Sequence, residues 1–502
     1  MNNLIRYLLY YLFIVLCFVS LFFLFYNSSN GDASIYFVYY KNFFNKPFSF
    51  QENTVAFGAT SPLQVIVFSI IFNISGSNWL FFLKLTNFLL ALSSMFLLYR
   101  VTQKEIKTIA FFSILTISCI PLLSSIFNVF EIGLVLFGIS LAYYFYKNKK
   151  YLLSIFIAGF FHLIRPELIV LTIVFDYENL KLEKSLNKFL YLFFSFIPIF
   201  IYYLYMYINT GNILPTNIYN RIFLVNNYDT NWLKNFLSTL SNLYHEPHKY
   251  TVFIIGFITF FLVIYKKQFQ YKFELKCFLL IISLCLLTPR EVHTQRYLLS
   301  SLPFILIVTN DYIKNYFSTK KIIYFSIFIN IILITFYSYN YYNNKKYINN
   351  TNSVLLKDLA DKLNPISNKN DKILIYEIQS QFYLKSYCIS IDGLIGSDIK
   401  DIIFRKKSYS DFIKENNVRF IVTNGDFNKK VFSKNTILEK LYNCDLNCKI
   451  GDIVTIDGIK FKKIFTNDYY NKVNSYLKID SGKLVRNYNN EWVLWDSVFE
   501  VL

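Results

Sequence analysis

The chain has 502 residues, 54% of them hydrophobic and 20% aromatic, with a mean hydropathy of +0.36 and a formal net charge of +19. Apolar runs approach the ~20 residues that a helix needs to cross a ~30 Å hydrocarbon core, which excludes an ordinary soluble domain. The positive charge does not mark a nucleic-acid binder, because Lys and Arg stand in small groups between those runs instead of clustering on one face.

Backbone polar groups must be satisfied internally in lipid, so each long apolar run is read as a helix. The first, 4–26, is too long for a signal-peptide core and is expected to be retained. The runs that follow are 79–98, 108–127, 130–146, 151–164, 167–176, 189–208, 250–265, 274–288, 297–313 and 322–339. Between them stand basic groups, among them Arg100, Lys104 and Lys107, then Lys147, Lys149 and Lys150, then Lys266, Lys267, Lys272 and Lys276. These groups all face the cytoplasm under the positive-inside rule only if 62–73, too short to span, is re-entrant or interfacial.

The expected fold class is therefore a polytopic α-helical membrane protein of about eleven crossings. Its outer loops 27–78 and 209–249 are long, and loops of that length are usually functional or disordered. Beyond 339 the pattern changes. Apolar stretches at 372–376 and 419–423 alternate with amphipathic ones at 353–363 and 410–416, which predicts a soluble α/β domain over 340–502, outside the cytoplasm. The expected location is the bacterial cytoplasmic (inner) membrane, with the site and the C-terminal domain on the extracytoplasmic side.

Of seven cysteines, Cys17, Cys119, Cys277 and Cys285 lie in apolar runs as small hydrophobes. Cys444 and Cys448 are spaced either as a local disulfide, which would leave Cys388 over, or as free thiols. No cysteine stands at metal-ligand spacing with histidine. No metal is indicated, although a divalent ion is compatible with the acids present.

Several ionisable residues interrupt the apolar pattern. Asp32 follows Gly31 at the mouth of the first loop, ahead of an aromatic stretch, Tyr36 to Tyr40, expected to lie on the membrane. Asp32 is either a helix cap or a carboxylate poised as a base. Thr60 and Ser61 precede Pro62 as a turn and cap, and Glu131 opens a helix, where the dipole favours an acid. His162, Arg165 and Glu167 flank Pro166 and break an apolar run. Charges there are costly unless they pair with each other or with a ligand. Asn217 and Arg221 in the second long loop, and His293 and Arg296 before the tenth helix, add polar groups at the outer face. Arginine suits bidentate phosphate recognition, and anchoring to lipid phosphates is the plainer alternative.

In this order the pieces resemble the GT-C superfamily of polyprenyl-phosphate-sugar-dependent glycosyltransferases, and within it bacterial relatives of the terminal arabinofuranosyltransferases. Gly31-Asp32-Ala33, Thr60-Ser61-Pro62-Leu63, Glu131, Arg165-Pro166-Glu167, Leu214-Pro215 with Asn217, Tyr219 and Arg221, and Arg296-Tyr297-Leu298 with Pro303 are similar to that group's elements; Asp392-Gly393-Leu394 is a looser match. The resemblance implies a GT-C-like membrane domain over 1–339 and an inverting transferase with Asp32 as general base. It implies a polyprenyl-phosphate-linked sugar donor and a glycan, lipid or protein acceptor. Arg296, Arg165 and Arg221, in that order, would hold the donor phosphate. Glu131, Glu167, His162, Asn217, Tyr36, Thr60, Ser61 and His293 would orient substrate. Some members carry two acids where this chain has Gly31 and Asp32, which weakens a metal held by an acid pair. Two other classes stay open, a transporter or flippase of lipid-linked sugars and a non-catalytic membrane scaffold.

Overall fold

The computed structural model describes residues 2–25, 31–51, 54–102, 106–182, 188–212, 215, 247–266, 269–286, 297–313, 318–348, 351–375, 381–391, 402, 407–424, 437–438, 440–441, 444, 448–468 and 495–502. It divides into two units. The first comprises 1–28, 60–204 and 231–345; the second comprises 29–59, 205–230 and 346–502.

The first unit is helical. Its elements are α1 (Asn2–Phe25), α3 (Pro62–Ile74), α4 (Trp79–Val101), α5 (Ile106–Ser118), α6 (Ile120–Phe127), α7 (Ile132–Lys147), α8 (Tyr151–Gly159), α9 (Phe161–Ile164), α10 (Ile169–Leu182) and the larger part of α11 (Lys188–Thr210). They are followed by α12 (Pro247–Tyr265), α13 (Lys272–Leu286), α14 (Leu302–Ile313) and most of α15 (Thr319–Ile348). Each of the apolar runs read from the sequence contains a helix. Among the described residues, four helices are long and apolar enough to cross a membrane: Leu8–Phe25, Gly76–Val101, Tyr191–Thr210 and Thr319–Tyr339. A fifth, broken candidate pairs Thr108–Ser118 with Pro121–Phe127 at 77°. The sequence predicts one helix over 108–127, but Pro121 lies in the first turn of a new helix, α6, and lacks the N–H to continue α5. The run 167–176 is likewise extended, α10 reaching Leu182.

Small and polar side chains join these helices, as expected where lipid removes the hydrophobic drive between apolar surfaces. Ser94 and Ser140 share a 2.7 Å hydrogen bond between α4 and α7. Thr172 of α10 donates to the Ala158 carbonyl of α8 at 2.7 Å. Gly159 lets α8 lie directly against the backbone of Ser195 on α11. Tyr10 of α1 donates to Ser326 of α15 at 2.8 Å, and Tyr337 donates to the Ile117 carbonyl of α5 at 2.7 Å.

The second unit contains α2 (Gly31–Asn42), a hairpin of β1 (Ser49–Gln51) and β2 (Thr54–Val55), α16 (Thr351–Leu363) and α17 (Tyr409–Glu415). Its six-stranded sheet runs β4-β3-β5-β8-β7-β6, from β3 (Lys372–Ile375), β4 (Tyr387–Ser390), β5 (Val418–Asn424), β6 (Ile453–Ile456), β7 (Ile459–Asp468) and β8 (Trp495–Val501). The first three strands in that order are parallel and the rest antiparallel. Leu374, Ile389, Phe412, Ile421, Phe461 and Phe499 belong to its core, one inward residue from each of several strands with the buried face of α17. Ser408 starts α17 with a capping box, its side chain accepting from the Asp411 backbone and its backbone donating to the Asp411 carboxylate. Cys444 and Cys448 are joined by a disulfide, with Cα atoms 5.4 Å apart, and Cys388 is a free buried thiol.

In the stretch after Asp32, five consecutive residues of α2, Tyr36 to Tyr40, are buried, and Lys41 next to them is exposed.

Candidate functional site

The polar centre of the first unit is built on the break between α6 and α7. Asn128 ends α6, Val129 takes a left-handed backbone (φ 59°), and Glu131 stands at the N-cap of α7. A β-branched residue in that region is strained, so the surroundings must hold it. Gln64 of α3 donates to the Val129 carbonyl at 2.8 Å. Asn87 of α4 donates to the Ile126 and Phe130 carbonyls at 2.8 and 2.9 Å. Its Oδ1 accepts from the Gly133 N–H at 3.1 Å, and the missing side chain at Gly133 is what permits that approach. Two helices, α3 and α4, therefore fix the backbone that presents Glu131.

The partner of Glu131 is supplied by a second break. Pro166 disfavours a helical residue before it, and Arg165 is accordingly extended (φ −153°, ψ 129°) between α9 and a short 3-10 turn. Its guanidinium meets Glu131 at 3.3 Å and Glu167 at 2.5 Å, and its Cζ lies 4.7 Å from the centre of the Tyr297 ring. Glu131 and Arg165 are 6% and 8% exposed, so this is a buried ionic cluster. Two carboxylates on one guanidinium leave a formal charge of −1, and desolvated charges of this kind persist only with paired, directed partners.

His162 borders the cluster. Its Nδ1 lies 2.9 Å from the Pro166 carbonyl, which can only accept, so Nδ1 carries the proton in the neutral ring. Nε2 then accepts from the Tyr203 hydroxyl at 2.9 Å, and the two rings stack.

The expected site residues thus fall into three groups. Glu131, Arg165, Glu167 and His162 come together in the first unit. Ser61, fully buried, precedes α3 without capping it through its side chain, and Thr60 beside it is exposed. Asp32 is the second residue of α2 in the second unit, and Tyr36, one turn on, is buried. Asn217, Arg221, His293 and Arg296 lie outside the described residues, as do Asp392, Gly393 and Leu394.

Residues not singled out from the sequence complete the arrangement, Gln64, Asn87, Gly133 and Tyr203, together with Tyr297 of the Arg296-Tyr297-Leu298 element. An Asn inside an apolar run was the available signal for Asn87, since such a group needs a partner in lipid. The same reasoning applies to Lys84, one turn earlier on α4, and to Asp176 midway along α10; both are buried, at 1% and 4% exposure. Ser195 of α11 donates to Asp176 at 2.8 Å. At the far end of α7, Glu274 is bound by Lys147 at 2.9 Å and by the Tyr143 hydroxyl. Among the described residues no group of three or more His, Cys, Asp or Glu side chains is placed to hold a metal ion.

No family of known proteins and no curated protein sequence matches the chain.

Proposed function

We propose that the protein is a membrane glycosyltransferase that moves a sugar from a polyprenyl-phosphate donor to an extracytoplasmic glycan, lipid or protein acceptor. The buried Glu131–Arg165–Glu167 cluster carries the reading. An apolar helical unit has little structural use for three desolvated charges on two broken helices, whereas a sugar ring needs fixed acceptors and donors. The eleven crossings and the outward C-terminal domain belong to the same proposal. The Cys444–Cys448 disulfide supports the outward side, since such bonds persist in oxidising compartments.

In the mechanism, Asp32 takes the proton of the acceptor hydroxyl as that oxygen attacks the anomeric carbon. The bond from that carbon to the phosphate oxygen breaks, and the polyprenyl phosphate leaves with the electron pair. The configuration inverts. The leaving group is already a stabilised anion, so no protein acid is required. General-base help contributes ~10²–10⁴-fold, and neutralisation of the departing phosphate supplies much of the remainder. The charge of Arg165 is already offset by two carboxylates, so phosphate binding falls first to Arg296 and then Arg221. Arg165 fixes Glu131 and Glu167 as acceptors for sugar hydroxyls, with His162 beside them.

A second reading draws on Lys84 and Asp176. Ionisable groups buried within apolar helices are what a transporter or flippase of lipid-linked sugars would use. One experiment separates the two. Membranes holding wild type or Asp32→Asn are given radiolabelled polyprenyl-phosphate sugars and native acceptor extract. The proposal expects label in the acceptor with wild type and none with Asp32→Asn at equal expression. Donor that changes leaflet without transfer supports the flippase instead.

A further inference from the structure

We infer that the C-terminal domain is a positioning element for the helix that begins at Gly31 and Asp32, and that Gln51 and Gln381 form the joint. This rests on the proposal that Asp32 is the base.

The chain of contacts lies wholly within the second unit. α2 is tied to the β1–β2 hairpin: Asn42 donates to the Phe50 carbonyl at 3.1 Å, Tyr39 donates to the Ala56 carbonyl at 3.3 Å, and the Tyr39 and Phe50 rings meet edge to face at 5.3 Å. The hairpin is tied in turn to the sheet. Among the described residues β4 is an edge strand paired only with β3, so the N–H and C=O of Cys388 face away from the sheet. Both are met by glutamines. Gln381 Oε1 accepts from the Cys388 N–H at 2.8 Å, and Gln51 Nε2 donates to the Cys388 carbonyl at 2.7 Å. Gln51 Nε2 also lies 3.4 Å from Gln381 Oε1, so the two carboxamides close over one residue of the edge.

A second contact fixes α2 directly. Phe37 and Lys41 stand one turn apart on one face of α2 and clasp Phe382, with ring centres 6.2 Å apart and the Lys41 ammonium 5.5 Å from the Phe382 ring. The segment holding Phe382 is anchored itself. Asn364 brackets it by donating to the Tyr383 carbonyl and accepting from the Lys385 N–H, at 3.1 and 3.0 Å. Ser386 donates to Ser367 at 2.8 Å. The Cys388 thiol, pushed well above its usual range by burial, donates to the Ser386 carbonyl at 4.0 Å. Nothing in this joint requires a substrate. Its consequence is that the acid of the first loop is held by a domain more than 300 positions later in the chain, and not by the neighbouring helices alone.

The test uses full-length protein with Gln51→Glu, which keeps the shape and loses the donor, and with Gln51→Met, which keeps the bulk and loses both polar atoms. Hydrogen exchange by mass spectrometry reads the amides of 31–42, and the transfer assay reads kcat and KM. The expected result is faster exchange across 31–42 in both variants, unchanged exchange in α4 and α7, and a kcat lower by on the order of 10–100-fold at unchanged donor KM, the loss expected from a misplaced base. Unchanged exchange in 31–42 overturns the joint. Faster exchange with normal kcat overturns positioning, and if Asp32→Asn is inactive in the same assay the base assignment survives it. If Asp32→Asn is fully active, the base assignment itself has failed, whatever the exchange data say.

Discussion

The Arg165 guanidinium decides how the polar centre behaves when altered. Removing one member of a buried ion pair leaves an uncompensated charge, a loss of ~3–5 kcal/mol, whereas replacing all members with apolar groups is often near neutral. Arg165→Met is therefore expected to lower the thermal midpoint of the detergent-solubilised protein strongly. Combining it with Glu131→Leu and Glu167→Leu, which makes every member apolar, should recover most of the loss while leaving the protein inactive. Recovery of activity in that triple variant would remove the cluster from substrate binding. The two acids and the arginine of this centre were legible in the sequence because charges in apolar runs are costly. What was not legible was the support beneath them. Val129 is an apolar residue among others, and nothing in its type announces a left-handed backbone. Gln64 and Asn87 are far from it in sequence, and their roles exist only once three helices meet.

Elements meet where side chains are absent. A methyl at Gly133 would collide with Asn87, and one at Gly159 would strike the Ser195 backbone. The Gly159→Ala clash is with backbone that cannot rotate away, so α8 and α11 must separate; an overpacked contact of this kind costs ~1–3 kcal/mol. Thermal unfolding should register that loss, and Gly211→Ala is not a suitable control because its own φ is +67°. In the unit that carries the sheet, Ser408 holds the Asp411 carboxyl below its usual range through side-chain and backbone hydrogen bonds. A depressed folded value contributes stability that is present above the ordinary Asp range near ~3.9 and is lost as pH falls through the folded value. Ser408→Ala should thus speed exchange of the α17 amides at pH 7, with the difference from wild type shrinking in strong acid. A difference that persists in acid would assign the effect to the cap that the Ser408 hydroxyl gives the Asp411 N–H, which does not titrate. Helix positions followed from the apolar runs, because the length of a run is written in the sequence. The break between α5 and α6 is written in Pro121, which a count of apolar residues passes over, whereas the extension of α10 to Leu182 depends on what packs beside it.

At the scale of the whole molecule, the chain combines helices long enough to cross a membrane with a mixed sheet that carries its own core. The switch in pattern after residue 339 announced the sheet, as alternation replaces long apolar runs. That 29–59 belongs to the same unit as the sheet was not legible, because side-chain amides capping a strand edge leave no periodic trace. The proposed topology puts the Cys444–Cys448 bridge outside. In intact cells a membrane-impermeant thiol reagent should label a cysteine introduced at exposed Lys460 and spare one introduced at exposed Lys149. The reverse pattern would invert the orientation. The central claim is that a lipid-linked sugar is the donor, and the most direct measurement is transfer by the purified protein in liposomes, supplied either with polyprenyl-phosphate sugars or with the matching nucleotide sugars. The account predicts transfer from a polyprenyl-phosphate sugar, with inversion at the anomeric carbon, and none from the nucleotide sugars. Transfer from a nucleotide sugar alone, or retention of configuration, would contradict it.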